Sequence, residues 1–150
     1  MSTNVEIGAT TAMGKILTRI TVTNRVDQIL AERGIIPASD IRSVTLDDVL
    51  VDTGATLLCL PRETVAALGA EPLREVNVNT ATGLERTRIF RDVELSVLGR
   101  PATVECLELP GSQQPLLGVQ ALEALGIELD LQKQQLRLLP YTSPDTFYTA

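Results

Sequence analysis

Apolar residues return at every second position through much of this chain, in runs the length of single strands. "KILTRITVT", "REVNVN", "VELSVL" and "ATVECLEL" all keep that alternation. A period of two sends side chains alternately to opposite faces, so each run buries one face and wets the other. In the first run Ile16, Ile20 and Val22 share a parity and face inward. The pattern commits the chain to a mostly β fold.

Turn and helix signals punctuate the strands. Asn24 can cap a short helix carrying Val26, Ile29 and Leu30 on one face, with Gly34 beyond its end. "IIPAS" reads as a loop. "IRSVTLDDVLVD" reads as two strands folded on a tight turn near Asp47-Asp48, the second running into Asp52. "LLCL" is a short strand, and Pro61 opens a helix, "PRETVAAL", closed by Gly69. "REVNVN" and "LERTRIF" flank a turn at Thr80–Gly83, "VELSVL" follows, and Gly99-Arg100-Pro101 turns the chain into "ATVECLEL". After Pro110-Gly111-Ser112, "PLLG" leads into a helix, "VQALEAL", closed by Gly126, and "IELDL" and "QLRLL" pair around Lys133-Gln134. Two units therefore share one plan of strand, glycine turn, short helix and closing glycine. That fits a small β fold with an approximate internal two-fold.

Composition narrows the chemistry. The chain has 150 residues, enough for one domain that buries about 70% of its unfolded surface. The patterned part spans 14–140, with a loose tail at 1–13 and an irregular arm at 141–150. Aromatics are only 3%, so the core must be aliphatic. A net charge of −6 argues against nucleic acid as a partner, since a binder would show a basic stripe. The first residues have no signal-peptide pattern and no run is long enough to span a membrane, so the expected location is cytoplasmic. There is no histidine, which removes Ser-His-Asp and Cys-His catalysis and most zinc sites. Cys59 and Cys106 sit in apolar alternating stretches and read as small buried hydrophobes. A disulfide between them stays open, and nothing requires one. No metal or cofactor is expected.

The most informative stretch is "LVDTGATLLCL", Leu50 to Leu60. It places one carboxylate where a strand gives way to a glycine turn. A carboxylate that activates water must project from a rigid element and stay hydrogen-bonded and shielded. The strand end supplies rigidity, and Gly54 lets its backbone N–H approach Asp52. Thr53 offers a hydroxyl to lock the turn, Ala55 keeps the space beside it small, and Leu50, Val51, Leu57 and Leu58 supply apolar walls. The plain alternative is an Asx turn that merely ends a strand.

"LVDTGAT", a short strand and helix, and then "LLG" before a second helix together resemble the retropepsin-like aspartic proteases, the single-domain group that includes the retroviral enzymes and related bacterial proteins. The likeness covers roughly Lys15 to Pro140, with Asp52–Ala55 and Leu116–Gly118 as its specific elements. It implies a small closed β-barrel-like domain with one or two short helices, acting as a C2 homodimer. It implies Asp52 as the catalytic acid, Thr53 as a hydroxyl bonded across the two-fold axis, and Gly54 as the turn glycine, with Ala55 and Thr56 completing the turn. Leu116, Leu117 and Gly118 would pack beside it, and Thr80, Ala81, Thr82, Gly83 and Leu84 would form the flap over substrate, with Gly83 at or near its tip. The turn "NTATGLE" is less glycine-rich than the retroviral flap, and Thr56 stands where those enzymes often have a second aspartate. The segment 24–41 is extra.

Aspartic catalysis needs two carboxylates, one ionised and one protonated. The chain has a single Asp-Thr-Gly, and "LLGV" carries no acid at the matching point. A homodimer would supply the second Asp52 from another copy. The expected activity is peptide-bond hydrolysis of an extended peptide or protein substrate, without cofactor. The competing readings are an inactive dimer of the same fold that serves as a peptide-binding or assembly module, and a monomeric β-domain with a chance tripeptide.

Overall fold

In a computed structural model of the chain, residues 15–111 and 113–140 are described. The expected tail at 1–13 and arm at 141–150 lie outside them. The elements in chain order are β1 (Leu17–Asn24), α1 (Arg25–Glu32), β2 (Ser43–Val51), β3 (Leu58–Leu60), α2 (Arg62–Leu68), β4 (Glu71–Thr80), β5 (Gly83–Val97), β6 (Arg100–Glu108), β7 (Leu116–Leu117), α3 (Val119–Leu125), β8 (Ile127–Asp130) and β9 (Gln135–Leu138). A single 3-10 turn, Ala38–Asp40, lies between α1 and β2 and overlaps the end of the stretch expected as a loop. The fold is mostly β, with three short α-helices among the described residues, where one or two were expected.

Seven strands form one sheet in the order β1-β2-β7-β3-β6-β5-β4, and β1 pairs again with β5, so the pairings return to their starting strand. β8 and β9 make a separate two-stranded sheet. The inward faces meet in an aliphatic core that includes Ile20, Val22, Val49, Val51, Leu58, Leu60, Leu95 and Leu117, with Phe90 as its aromatic member. No helix of the described residues is long and apolar enough to cross a membrane.

Three sequence expectations give way to longer strands. β2 runs unbroken through Asp47 and Asp48, where a hairpin turn was expected. β1 explains why. Its register slips between Thr18, opposite Val49, and Ile20, opposite Leu46, so the aspartate pair is absorbed as an outward bulge. Arg19 Nε donates to Asp47 Oδ1 at 2.6 Å across it. "LERTRIF" and "VELSVL" likewise fuse into β5, bent where Asp92 adopts φ 61° and the register against β6 shifts between Phe90 and Val93. The turn expected at Gly99-Arg100-Pro101 is tighter. Leu98 (φ 51°) and Gly99 (φ 80°) make a two-residue connection with both φ positive, and Arg100 and Pro101 already pair in β6.

The extra segment also departs from expectation. Asn24 does cap α1, its Oδ1 accepting from the Asp27 N–H at 2.9 Å. The apolar face is only partly covered, with Val26 44% exposed and Ile29 and Leu30 half-buried, and Asp27 is the helix's buried residue. Burying a carboxylate is unfavourable unless it is paired. Arg42 meets it with two side-chain bonds at 2.9 and 3.0 Å and a backbone N–H at 3.0 Å. The same guanidinium packs over Gly69, the left-handed C-cap of α2, where a Cβ would meet Arg42 Nη1 at 2.0 Å. Asn24 Nδ2 donates to the Leu68 carbonyl at 2.8 Å. The segment is thus latched onto α2 by polar contacts.

The hydrogen bond from the Arg42 side chain holds the Asp27 carboxyl below the ordinary carboxylate range. A group whose pKa is lowered by folding adds stability above its unfolded pKa and loses it as pH falls through the folded value. Asp27→Asn should therefore be less stable than wild type near pH 7, with the gap narrowing as pH falls below the ordinary carboxylate value of 3.8. Thermal unfolding across that range checks this, and a gap that stays constant with pH would refute it.

Candidate active site

The site begins where β2 delivers Asp52. Val49, Leu50 and Val51 are buried and fix the strand, and Asp52 follows half-buried at its end. β7 lies alongside in parallel, with Leu50 opposite Leu116 and Val51 opposite Leu117. Leu50 N–H donates to the Pro115 carbonyl at 3.0 Å, and Asp52 N–H to the Leu117 carbonyl at 3.1 Å. On its other edge β7 pairs with β3 through Leu116 and Cys59. Two residues of β7 therefore separate the two strands that carry the Asp-Thr-Gly loop, and they hold both of its ends.

The loop is tied internally as well. Ala55 N–H donates to the Asp52 carbonyl at 3.0 Å, which closes a turn. Gly54 N–H donates to Asp52 Oδ1 at 2.8 Å, so one oxygen is fixed by the backbone. Thr53 is half-buried beside it. A helix start leaves its first N–H groups without intrahelical partners. At α3 two of these serve the loop: Val119 N–H reaches the Ala55 carbonyl at 2.9 Å, and Gln120 N–H the Thr56 carbonyl at 3.0 Å. Gly118 makes this approach possible. A Cβ there would stand 2.5 Å from the Leu57 carbonyl oxygen and 2.7 Å from that of Ala55. Its φ of −87° needs no glycine, so contact with the loop backbone is the constraint.

β4 and β5 form the hairpin expected as a flap. Thr80 pairs with Gly83 across the two-residue connection Ala81-Thr82, and Gly83, at φ 121°, sits just past the tip. Between this hairpin and the Asp-Thr-Gly loop lies a cavity of about 880 Å³. Gly54, Ala55, Thr56 and Leu116 line one side and Thr80 and Ala81 another, whereas Thr82, Gly83 and Leu84 stand outside it. Leu84 is 66% exposed. Leu117 and Gly118 are buried against the loop from beneath.

Much of the cavity wall carried no local signal in the sequence. Val78, Arg74, Glu105, Leu107, Leu109, Gln113, Gln114 and Gln120 all line it. Strand pairing brings Arg74, Val78, Glu105 and Leu107 there: Ile89 of β5 is opposite both Arg74 of β4 and Leu107 of β6, and antiparallel partners share a face. Arg74 and Glu105 approach to 3.6 Å on that face. Parity alone would have grouped Glu105 with Leu107, but only the register turns that group toward the cavity. Cys59 also lines it and Cys106 lies on the neighbouring strand, both as free buried thiols. Burial pushes each up to about 12, with the Asp52 carboxylate adding to the effect at Cys59, so both are protonated at neutral pH.

Residues 44–124 match the protein family described as "gag-polyprotein putative aspartyl protease". The match takes in more than half of the chain and runs from β2 to α3, through the Asp52 turn, the hairpin and the second loop. This chain belongs to that retropepsin-like family. β1, α1 and the β8–β9 pair lie outside the matched span. No curated protein matches the chain.

The tight seat of Gly118 sets a test. Gly118→Ala should destabilise the protein by about 1–3 kcal/mol, because the added methyl group must displace loop backbone rather than a side-chain end. Val119→Ala, at an exposed position, should cost less than about 1 kcal/mol. Urea unfolding of both variants decides it, and a Gly118→Ala midpoint equal to wild type would show that the loop yields freely.

Proposed function

We propose that this protein is an aspartic endopeptidase whose active form is a homodimer, with Asp52 of each copy contributing to one catalytic pair. The observation that carries the reading is the seat of Asp52: a strand end, one oxygen fixed by Gly54 N–H at 2.8 Å, in a loop whose next residues, Gly54, Ala55 and Thr56, line the cavity that the hairpin also lines. Family membership supports it. The second loop, Leu116-Leu117-Gly118, occupies the matching place without a carboxylate, so the partner acid must come from a second copy.

In that dimer two carboxylates would lie close enough that both cannot ionise cheaply, so they share one proton. The ionised one takes a proton from water, and the protonated one polarises the scissile carbonyl. The water adds to that carbonyl, and the tetrahedral species then collapses with proton transfer to the leaving amine. Thr53 would bond across the two-fold axis and hold the two turns in register. The substrate is an extended peptide lying between hairpin and floor. Leu57, Leu107, Leu109, Leu116 and Val78 favour apolar side chains next to the cleaved bond, and Gln113, Gln114 and Gln120 offer amide partners to the peptide backbone. Retention of one proton by the pair favours mildly acidic pH.

Incubation with a mixed peptide library between about pH 4 and pH 7 tests this. Asp52→Asn should lower turnover by about 10²–10⁴-fold. Specific activity should rise with protein concentration as dimers form. Excess Asp52→Asn protein mixed into wild type should suppress activity, since mixed dimers hold only one carboxylate. Cleavage by Asp52→Asn equal to wild type, or full activity from a species that sizes as a monomer, would refute the proposal.

A further inference from the structure

The hairpin turn contains a polar chain that the reading above leaves without a role. Three side chains meet at Thr80, Thr82 and Glu85. Thr80 Oγ1 lies 2.8 Å from the Gly83 carbonyl oxygen, and Thr82 N–H donates to Thr80 Oγ1 at 3.3 Å. Thr82 Oγ1 lies 3.2 Å from Glu85 Oε2, and Thr80 Oγ1 3.3 Å from the same oxygen. Each hydroxyl has one proton to give. The shortest contact assigns the Thr80 proton to Gly83, which leaves the Thr82 proton for Glu85. The result is a relay from the carboxylate through Thr82 and Thr80 to the carbonyl of the glycine that ends the turn.

Its position relates it to the cavity. Glu85 is opposite Val78 in the β4–β5 register, so the two share a face. Val78 and Thr80 both line the cavity, and Glu85 is half-buried on that same side. The connection itself, Ala81-Thr82, carries no glycine, and the positive φ falls on Gly83 alone. A turn with one freely rotating residue, tied at three side chains, is held in one shape.

We propose that Glu85 is a positioning residue of the flap: acting through Thr82, it fixes the turn that sets Thr80 and Ala81 against the bound peptide. The role in substrate binding rests on the protease reading, whereas the ordering of the turn does not. Glu85 acts through its neighbours and takes no part in the proton transfers at Asp52.

The experiment measures amide hydrogen exchange over residues 80–85 in the full chain, together with KM and kcat on a cleaved library peptide. Glu85→Ala and Thr82→Val should each speed exchange in the turn by about tenfold, and the double variant should add little, because both cut one relay. Glu85→Gln keeps an acceptor oxygen for the Thr82 hydroxyl and should stay near wild type. With peptide, Glu85→Ala should raise KM by about tenfold while kcat stays within about twofold. Exchange in Glu85→Ala as slow as in wild type, or additive effects of the two substitutions, overturns the relay. An unchanged KM alongside faster exchange overturns the substrate role. If wild type cleaves nothing, the protease reading fails, and the exchange data still decide the ordering of the turn.

Discussion

The interaction on which the site depends is a backbone contact between two distant loops. Asp52 is positioned by main-chain hydrogen bonds: its own N–H to Leu117, Gly54 N–H to its carboxylate, and the loop carbonyls of Ala55 and Thr56 to the start of α3. They tie the loop to β7 on one side and to the start of α3 on the other. They form only if Gly118 has no side chain, since any Cβ there would overlap the loop. A single hydrogen atom at Gly118 therefore sets how closely the two halves of the fold can approach.

The charged groups obey a different logic. Asp27 is buried but has three bonds from Arg42, and the buried Glu108 faces Arg88, which also lies over the Phe90 ring at 4.9 Å. Pairs such as Arg19–Asp47 and Arg86–Glu75 are exposed and contribute little to stability. Among described residues, every buried side-chain polar atom has a partner. The acidic balance of the chain is thus carried on the surface, while the interior polar groups fasten particular elements, above all α1 to α2.

How much of this could be read from the sequence depended on whether the cause was local. The alternation of Ile16, Ile20 and Val22, the caps at Asn24, Gly69 and Gly126, and the glycine turn after Asp52 are all set by neighbouring residues, and the structure has them where they were expected. Asp47-Asp48 looked like a turn because its polarity was judged without a partner strand; β1 pairs past it and makes it a bulge. Helical spacing grouped Val26 with Ile29 and Leu30 but gave no direction for that face; in the structure Val26 is exposed, Ile29 and Leu30 are half-buried, and the buried position belongs to Asp27. The cavity wall at Arg74, Glu105 and Leu107 needed the register of three strands, which no local pattern contains.

The parallel pairing of β2 with β7 has a consequence for how the molecule comes into being. Leu50 and Leu116 are far apart along the chain, and closing so long a loop is slow compared with forming a hairpin such as β4–β5. During synthesis the Asp-Thr-Gly segment leaves the ribosome well before the residues that brace it. Until then the β2 edge at Leu50 to Asp52 lacks its neighbour, and the acid has no fixed geometry. The seat of Asp52 is therefore complete only once the last third of the polypeptide has been made, because Leu116 and Leu117 belong to it.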